Sequence, residues 1–343
     1  MDQAKLIFTG DLMCHPKQQI KAYDSESGTF DFKPSFKYVK KMIEEADFAV
    51  GNLETLITDH LPLSKDMRKL DDKPFLNSPK EFLDALSWAG FDLLVTANNH
   101  AADGDREGIM NTLDAVDRAG FLNTGSFRDK TETRYIVKEI NGIKVGFLAY
   151  ATYYNRRLSF KLMSPRRYML NKTRIHRVKR DIAAIKAAGA EYIIAYNHCG
   201  TEYIQYPSER QIKFVNLLAE CGVDHIIGSH PHVLQPFEYI KGSGGKQVPV
   251  MHSMGNFSTG MKDPVRRETI LLRLTLTRDP SSGKVILSEQ SYCPCFVMEE
   301  FRGEHYVIVP ADKRYNDGFY SKQVPANFRH IREIVGEEHF SKW

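Results

Sequence analysis

The chain has 343 residues, 42% of them hydrophobic and 26% charged. That balance excludes a disordered chain and predicts a packed core for one large domain or two ordinary ones. A formal charge of +4, from 47 basic and 43 acidic side chains, is too small over this length to mark a nucleic-acid surface.

No window approaches the roughly 20 apolar residues that span a bilayer, so no membrane span is expected. Met1 to Thr9 runs straight into a strand-like Leu6-Ile7-Phe8-Thr9 without the features of a secretory leader. Cys14, Cys199, Cys221, Cys293 and Cys295 are odd in number and lack paired zinc-ribbon spacing. A reducing, cytoplasmic setting is therefore expected. Cys293-Pro-Cys295 is a weak metal signal, because two thiolates alone do not close a structural zinc site.

In chain order, the pattern is short apolar strands alternating with amphipathic helices. Leu6 to Thr9 reads as a strand stopping at Gly10-Asp11, and Pro34 to Ala46 as a helix with Phe36, Val39, Met42 and Ile43 on one side. Phe48 to Val50 is a strand stopping at Gly51-Asn52. Ser78-Pro79 starts a helix that runs to Gly90, and Leu93 to Thr96 is a strand delivering Asn98-Asn99-His100. Glu107 to Ala119 is helical. Arg134 to Ile140 and Ile143 to Tyr150 form a hairpin about Asn141-Gly142, a pair suited to a type I′ turn.

Helix Lys172 to Ala188 then leads to strand Tyr192 to Tyr196, and helix Ser208 to Cys221 to strand His225 to Ile227. Beyond these, Val233 to Ile240, Val248 to His252, Thr269 to Thr277 and Lys284 to Ser291 read as antiparallel strands. After about Phe301 the chain reads as polar and irregular, with one terminal helix from Phe328 to Val335. Strand–helix alternation followed by strands predicts a mixed α/β sandwich, with one domain over residues 1–300 and a C-terminal extension over 301–343 packed on it.

Polar, metal-capable residues recur just beyond these strands: Asp11, Glu54, Asn98-Asn99-His100, His198, His230 and His232. Ligands of open α/β sheets gather beyond the carboxyl ends of strands, so successive strand ends can converge on one site. His230-Pro231-His232 can serve one metal or two neighbouring ones, since neutral imidazole is the commonest metal ligand. Taken alone, the same residues also fit a polar turn with hydrogen-bonded histidines. Asp11 and Glu54 repel each other unless a divalent cation lies between them. One of the two asparagines can ligate through its amide oxygen, leaving His100 to move a proton with Asp103 orienting it. Glu202, four residues beyond His198, is a candidate orienting group or base, and His15 a weaker ligand candidate. The basic stretch Arg166 to Arg180 reads as a solvated helix face or as a landing surface for an anionic substrate.

The set Gly10-Asp11, Gly51-Asn52-Leu53-Glu54, Asn98-Asn99-His100 with Asp103, His198-Cys-Gly-Thr-Glu202, His230-Pro-His232-Val233 and Met254-Gly255-Asn256-Phe257 resembles the CapA family of poly-γ-glutamate capsule proteins. That family is similar to the calcineurin-like metallophosphoesterases, and the resemblance covers roughly residues 5 to 260.

It implies a four-layer α-β-β-α sandwich. Asp11, Glu54 (as bridging carboxylate), Asn99, His198, His230 and His232 would be metal ligands, and His100 the proton donor. Two departures stand out: the phosphoesterases' Asp-x-His is here Asp11-Leu12-Met13, and their bridging Asp is the longer Glu54. The mixed oxygen and imidazole donors suit one or two Mn, Fe or Zn ions.

The expected function is metal-dependent hydrolysis of poly-γ-glutamate or a related peptide or amide, with an anionic polymer or peptide as partner. Phosphoester hydrolysis, metal-assisted Cα epimerisation and a non-catalytic role in capsule assembly are the alternatives.

Overall fold

Apolar runs without alternation, such as Leu6-Ile7-Phe8 and Ile193-Ile194-Ala195, are what a strand covered on both faces requires. In the computed structural model, which describes residues 2–70, 73–155, 167–300, 303–315 and 324–343, each lies inside a predominantly buried strand.

The first sheet begins with β1 (Gln3–Leu12), β2 (Phe48–Leu53), β3 (Leu93–Val95) and β4 (Leu122–Thr124), all parallel. The second contains β5 (Ile136–Ile140), β6 (Ile143–Ala151), β7 (Tyr192–His198), β8 (His225–Ser229), β9 (Leu234–Lys241) and β10 (Gln247–Met254). Its four inner strands, β6, β7, β8 and β10, are parallel, and β5 and β9 are antiparallel edges. The chain then returns to the first sheet. β11 (Asn256–Ser258) lies beside the end of β1, and β12 (Glu268–Arg278), β13 (Val285–Glu299) and β14 (Tyr306–Pro310) extend that sheet antiparallel from β1.

The two sheets pack face to face through a cluster that includes Phe8, Val50 and Val95 from the first and Phe147, Ile194 and Ile227 from the second. The outer face of the first sheet carries helices Lys40–Glu44 and Glu81–Ala89, through Met42, Ile43, Phe82 and Leu86 against Ile7, Ala49 and Leu94. Helices Ile175–Ala187 and Glu209–Cys221 cover the second through Val178, Ile182, Phe214 and Leu218. The result is the expected four-layer α-β-β-α sandwich.

Local chemistry sets the boundaries. Ser208 caps its helix in a capping box with Gln211, and Gly90 and Gly222 close two helices in the left-handed conformation. Asn141 and Gly142 take φ of 48° and 83°, the geometry of a type I′ turn.

Four readings of the sequence need correction. The span from Pro34 to Ala46 is two short helices, Lys33–Phe36 and Lys40–Glu44, because two helical turns bury Phe36, Val39, Met42 and Ile43 as well as one long helix does. Strand Leu122–Thr124, too short to show periodicity, follows the helix Asp105–Arg118. The late strands are not all antiparallel, since β10 pairs parallel with β8. The region after Phe301 is not irregular throughout, because Tyr306–Pro310 is a fully buried strand of the first sheet. The terminal helix, Pro325–Val335, places Phe328, Ile331 and Val335 in the inter-sheet core. Phe340 stacks edge-on against Phe237 and Tyr292 at 4.8 and 4.7 Å between ring centres.

Glycines let neighbouring backbone approach the strand ends tightly. A Cβ on Gly228 would lie 1.9 Å from the His252 carbonyl oxygen, and one on Gly10 2.1 Å from that of Gly255. Backbone cannot yield like a flexible side chain, so Gly228→Ala is expected to cost about 3 kcal/mol of stability. Gly120→Ala has open space and only a left-handed backbone to strain, so its cost is about 1 kcal/mol. Urea denaturation of the two variants beside the parent measures both.

Candidate metal centre

The parallel strands of both sheets end at one edge of the sandwich, and the polar residues just beyond them meet there. Register aligns Asp11 of β1 with Asn52 of β2 on one side and Asn256 of β11 on the other. In the second sheet, His198 of β7 is level with Ser229 of β8.

Asp11 and Glu54 are fully buried, and His198, His230 and His232 are at most 2% exposed. One ligand atom from each of Asp11, Glu54 and His198 falls within a 4.8 Å cluster, and the same holds for Glu54, His230 and His232. Glu54 belongs to both groups, with Oε1 3.6 Å from His198 Nε2 and 3.8 Å from His232 Nε2. Asn99 Oδ1 lies 2.7 Å from His198 Nε2, and His230 Nδ1 3.1 Å from that same nitrogen. All six residues expected as ligands therefore lie in one buried cluster.

Secondary contacts fix their orientations. Asn52 Nδ2 donates to Asp11 Oδ1 at 2.8 Å, and Asn98 Nδ2 donates to Asn52 Oδ1 at 3.1 Å. Ser229 Oγ is 2.8 Å from His198 Nδ1, and Asn256 Oδ1 is 2.9 Å from His232 Nδ1. Tyr153 Oη is 2.5 Å from His230 Nε2, with its ring edge-on to the imidazole. His230 and His232 have φ of 100° and 60°, a backbone state that costs non-glycine residues roughly 1–3 kcal/mol each. The His230 amide donates to Asp11 Oδ2 at 3.4 Å, coupling that turn to the first sheet.

His100 forms a second unit at the rim of this cluster. Its Nδ1 is 2.6 Å from Asp103 Oδ2, which also accepts from the Leu76 amide at 3.2 Å. Asn155 ties this unit to the ligand shell: its amide nitrogen lies 3.2 Å from His100 Nε2, and its Oδ1 accepts from Asn99 Nδ2 at 3.0 Å.

His198 Nδ1 faces Ser229, and Glu202 bears on Glu54 at the centre. Gly200, at φ 146°, turns the chain between His198 and Glu202, and the Glu202 carboxylate acts on the phenols of Tyr153 and Tyr203. His15 caps a short helix, and its Nδ1 accepts from the Gly260 amide at 3.2 Å. Burial, and then His232 and His100, lower its pKa to about 3.

Of the basic stretch, Arg166 lies outside the described residues. Arg177 donates to the Leu170 carbonyl and Arg180 to Asp181, so part of that charge is absorbed locally.

Sequence alone does not mark Asn52, Tyr153, Asn155, Ser229 and Asn256 as orienting groups, although Asn52, Ser229 and Asn256 lie within motifs that carry the candidate ligands or the resemblance.

The electrostatics fit a cation. Burial, and next the neighbouring Asp11, push the Glu54 acid well above its ordinary value of 4.5. Burial and the adjacent imidazoles hold His198 and His230 well below 6.5, so both are neutral free bases at pH 7, the form that ligates. Neither Glu54 oxygen has a hydrogen-bond partner among the described residues. An unpaired buried carboxylate is costly, and a divalent ion among these donors removes that cost.

An acid with a raised folded-state pKa loses stability as pH climbs from its ordinary value towards the folded one. In EDTA, Glu54→Gln should therefore melt at a higher temperature than the parent, with a gap that widens from pH 5 to pH 8. With saturating Mn²⁺ the order should reverse, and Mn²⁺ affinity should fall on the order of 100-fold. Calorimetric melts and titrations of both proteins measure this.

The family model described as bacterial capsule synthesis protein PGA_cap matches residues 5–261. The capsule biosynthesis protein CapA of Bacillus anthracis is 26% identical over 261 residues, covering 75% of this chain and 60% of that protein. The PGA biosynthesis protein CapA of Bacillus subtilis (strain 168) is 24% identical over 261 residues, covering 73% and 62%. The chain thus matches less than two thirds of the length of these relatives. The solved NAD nucleotidase of Haemophilus influenzae superposes with a TM-score of 0.53 at 12% identity, covering 99% of this chain and 64% of that one, a likeness of fold. The chain belongs to the family of bacterial capsule synthesis proteins of the PGA_cap type.

Proposed function

We propose that this chain is a divalent-metal-dependent hydrolase that cleaves an amide bond in an anionic polymer or peptide of the poly-γ-glutamate kind. The observation that carries the reading is the Glu54 carboxylate, fully buried, without a hydrogen-bond partner among the described residues, and within 4 Å of two imidazoles. Asp11, Glu54, Asn99, His198, His230 and His232 would hold one or two ions, and the mix of oxygen and nitrogen donors favours Mn, Fe or Zn over Ca. The substrate class is supported by the names of the capsule and PGA biosynthesis relatives.

The chemistry such an ion supplies is polarisation of a carbonyl or phosphoryl oxygen and acidification of a water. The protein's own groups do the rest. Asp103, itself held by the Leu76 amide, fixes His100 through Nδ1, so that Nε2 faces the cavity side of the pair beside Asn155. From there His100 gives a proton to the departing amine nitrogen, the step that makes an amide a tolerable leaving group. Asn155 keeps that imidazole in register with Asn99. Tyr153 and Ser229 hold His230 and His198 in the rotamers that face Glu54.

His100→Ala should leave metal content unchanged and lower kcat by about 10²-fold or more, with little change in KM. The assay is the chain length of poly-γ-glutamate incubated with the Mn²⁺-loaded protein. Polymer of unchanged length, together with rapid turnover of bis-p-nitrophenyl phosphate that His230→Ala abolishes, would replace the amide reading with phosphoester hydrolysis.

A further inference from the structure

We infer that Arg266, stacked on Tyr203 at the rim of the metal centre, is the specificity residue that reads a free carboxylate of the substrate next to the bond being cleaved. The inference rests on the hydrolase reading for what the bond is, but not for the presence of the subsite.

The arginine is placed by the site itself. It lies in the 3-10 turn Pro264–Arg267 that follows β11. Asn256 donates from Nδ2 to the Arg266 carbonyl at 2.9 Å, while its Oδ1 lies 2.9 Å from His232 Nδ1. One asparagine thus sets the position of both the imidazole and the arginine. On the other side, the guanidinium carbon sits 3.5 Å from the centre of the Tyr203 ring, and that ring lies 6.0 Å from the His232 ring. Arg266 stacked on Tyr203, with Tyr203 tilted beside His232, forms a row leading out from the centre.

Tyr203 is held for this purpose at a cost. Its φ is 67°, in the region that non-glycine residues avoid, and its amide donates to the Pro231 carbonyl at 2.7 Å, inside the His230-Pro231-His232 turn. A strained residue bonded directly to the ligand turn ties the stack to the centre.

The guanidinium has its face occupied and its edge without a hydrogen bond among the described residues. Its Nε is buried without one. The carboxylates that act in its neighbourhood are Asp263, 3.7 Å away, and Glu202, whose charge bears with that of Arg266 on the Tyr203 phenol. A 3.7 Å ion pair is loose, and the side chain is one-third exposed (33%), so an incoming ligand can reach it. Stacking fixes the plane of the fork, and a planar fork with free donors matches a carboxylate through two parallel hydrogen bonds.

The ligand class follows from charge. Asp11, Asp103 and Glu202 all bear on Glu54, so an anion approaching these carboxylates needs a positive partner of its own in addition to any bound cation. A γ-linked glutamate chain carries a free α-carboxylate next to every backbone amide. That places one carboxylate a few bonds from the carbonyl that would be attacked, a spacing that suits a centre with an arginine at its rim.

The test uses the Mn²⁺-loaded full chain, with tri-γ-glutamate and its α-carboxamide analogue as probes in a calorimetric binding assay. The parent should bind the anionic peptide at least tenfold more tightly than the neutral one. Arg266→Gln should lose that preference, with at least a tenfold weaker Kd for the anionic peptide, an unchanged Kd for the neutral one and an unchanged manganese content. Arg266→Lys should recover only part of the loss, since it returns the charge without the fork. Tyr203→Ala, which frees the guanidinium, should reproduce most of the loss and stands in if Arg266→Gln melts early. On the polymer, Arg266→Gln should raise KM by a larger factor than it lowers kcat.

Equal binding of the two peptides by the parent would overturn the assignment, as would an unchanged Kd for the anionic peptide in folded Arg266→Gln or an equal loss for both peptides. Discrimination in binding without cleavage of either peptide would confirm the subsite and sink the hydrolase reading instead.

Discussion

Placing the Glu54 carboxylate beside Asp11 in a cavity from which water is largely excluded is the constraint on which the rest of this structure turns. An ion removed from water costs several kcal/mol even after relaxation, and a second carboxylate nearby adds repulsion. The fold accepts this cost at the point where two sheets bring their carboxyl ends together. Around Glu54 it arranges neutral imidazoles from His198, His230 and His232 and the amide of Asn99, lone-pair donors that do not themselves compensate a negative charge. The arrangement makes chemical sense with a cation and is strained without one.

That constraint accounts for features that would otherwise look unrelated. Left-handed backbone at His230 and His232 lets two side chains of a three-residue turn address the same cavity. Glycines at positions 10 and 228, where a Cβ would meet a carbonyl oxygen, let the ligand-bearing strand ends approach the neighbouring backbone. The chain also leaves the first sheet, builds the second and returns through β11 beside β1. This return delivers Asn256 and then Arg266 to the centre, long after the strand that carries Asp11.

Much of this is legible in the sequence for a simple reason. A parallel strand buried on both sides is a dense apolar run, and the first polar residues after it lie at the sheet's carboxyl end. That rule points to Asp11, Glu54, the Asn98-Asn99-His100 run, His198, His230 and His232 at or just beyond strand ends, and the family resemblance singles out Asn99. Residues that hold ligands without following a strand in the same way are harder to see. Asn52 lies inside β2, and Tyr153 and Asn155 lie in a loop whose position depends on long-range packing. Ser229 looks like any serine at a strand end. Glu202 is placed only by the tertiary fold: beyond the turn at Gly200 its carboxylate bears on Glu54 and on the phenols of Tyr153 and Tyr203. Strand Tyr306–Pro310 shows no alternation because it is wholly buried, and it is too short to stand out in a polar stretch.

Where the cation sits is the most direct question to put to the molecule. Crystals soaked in Mn²⁺ and measured for anomalous scattering should show density among the Glu54 carboxylate, His198 Nε2 and the imidazoles of His230 and His232, with Glu54 oxygens within bonding distance. An ordered Mn²⁺-free cavity, or manganese bound only at surface carboxylates while Glu54 stays unliganded, would contradict the account.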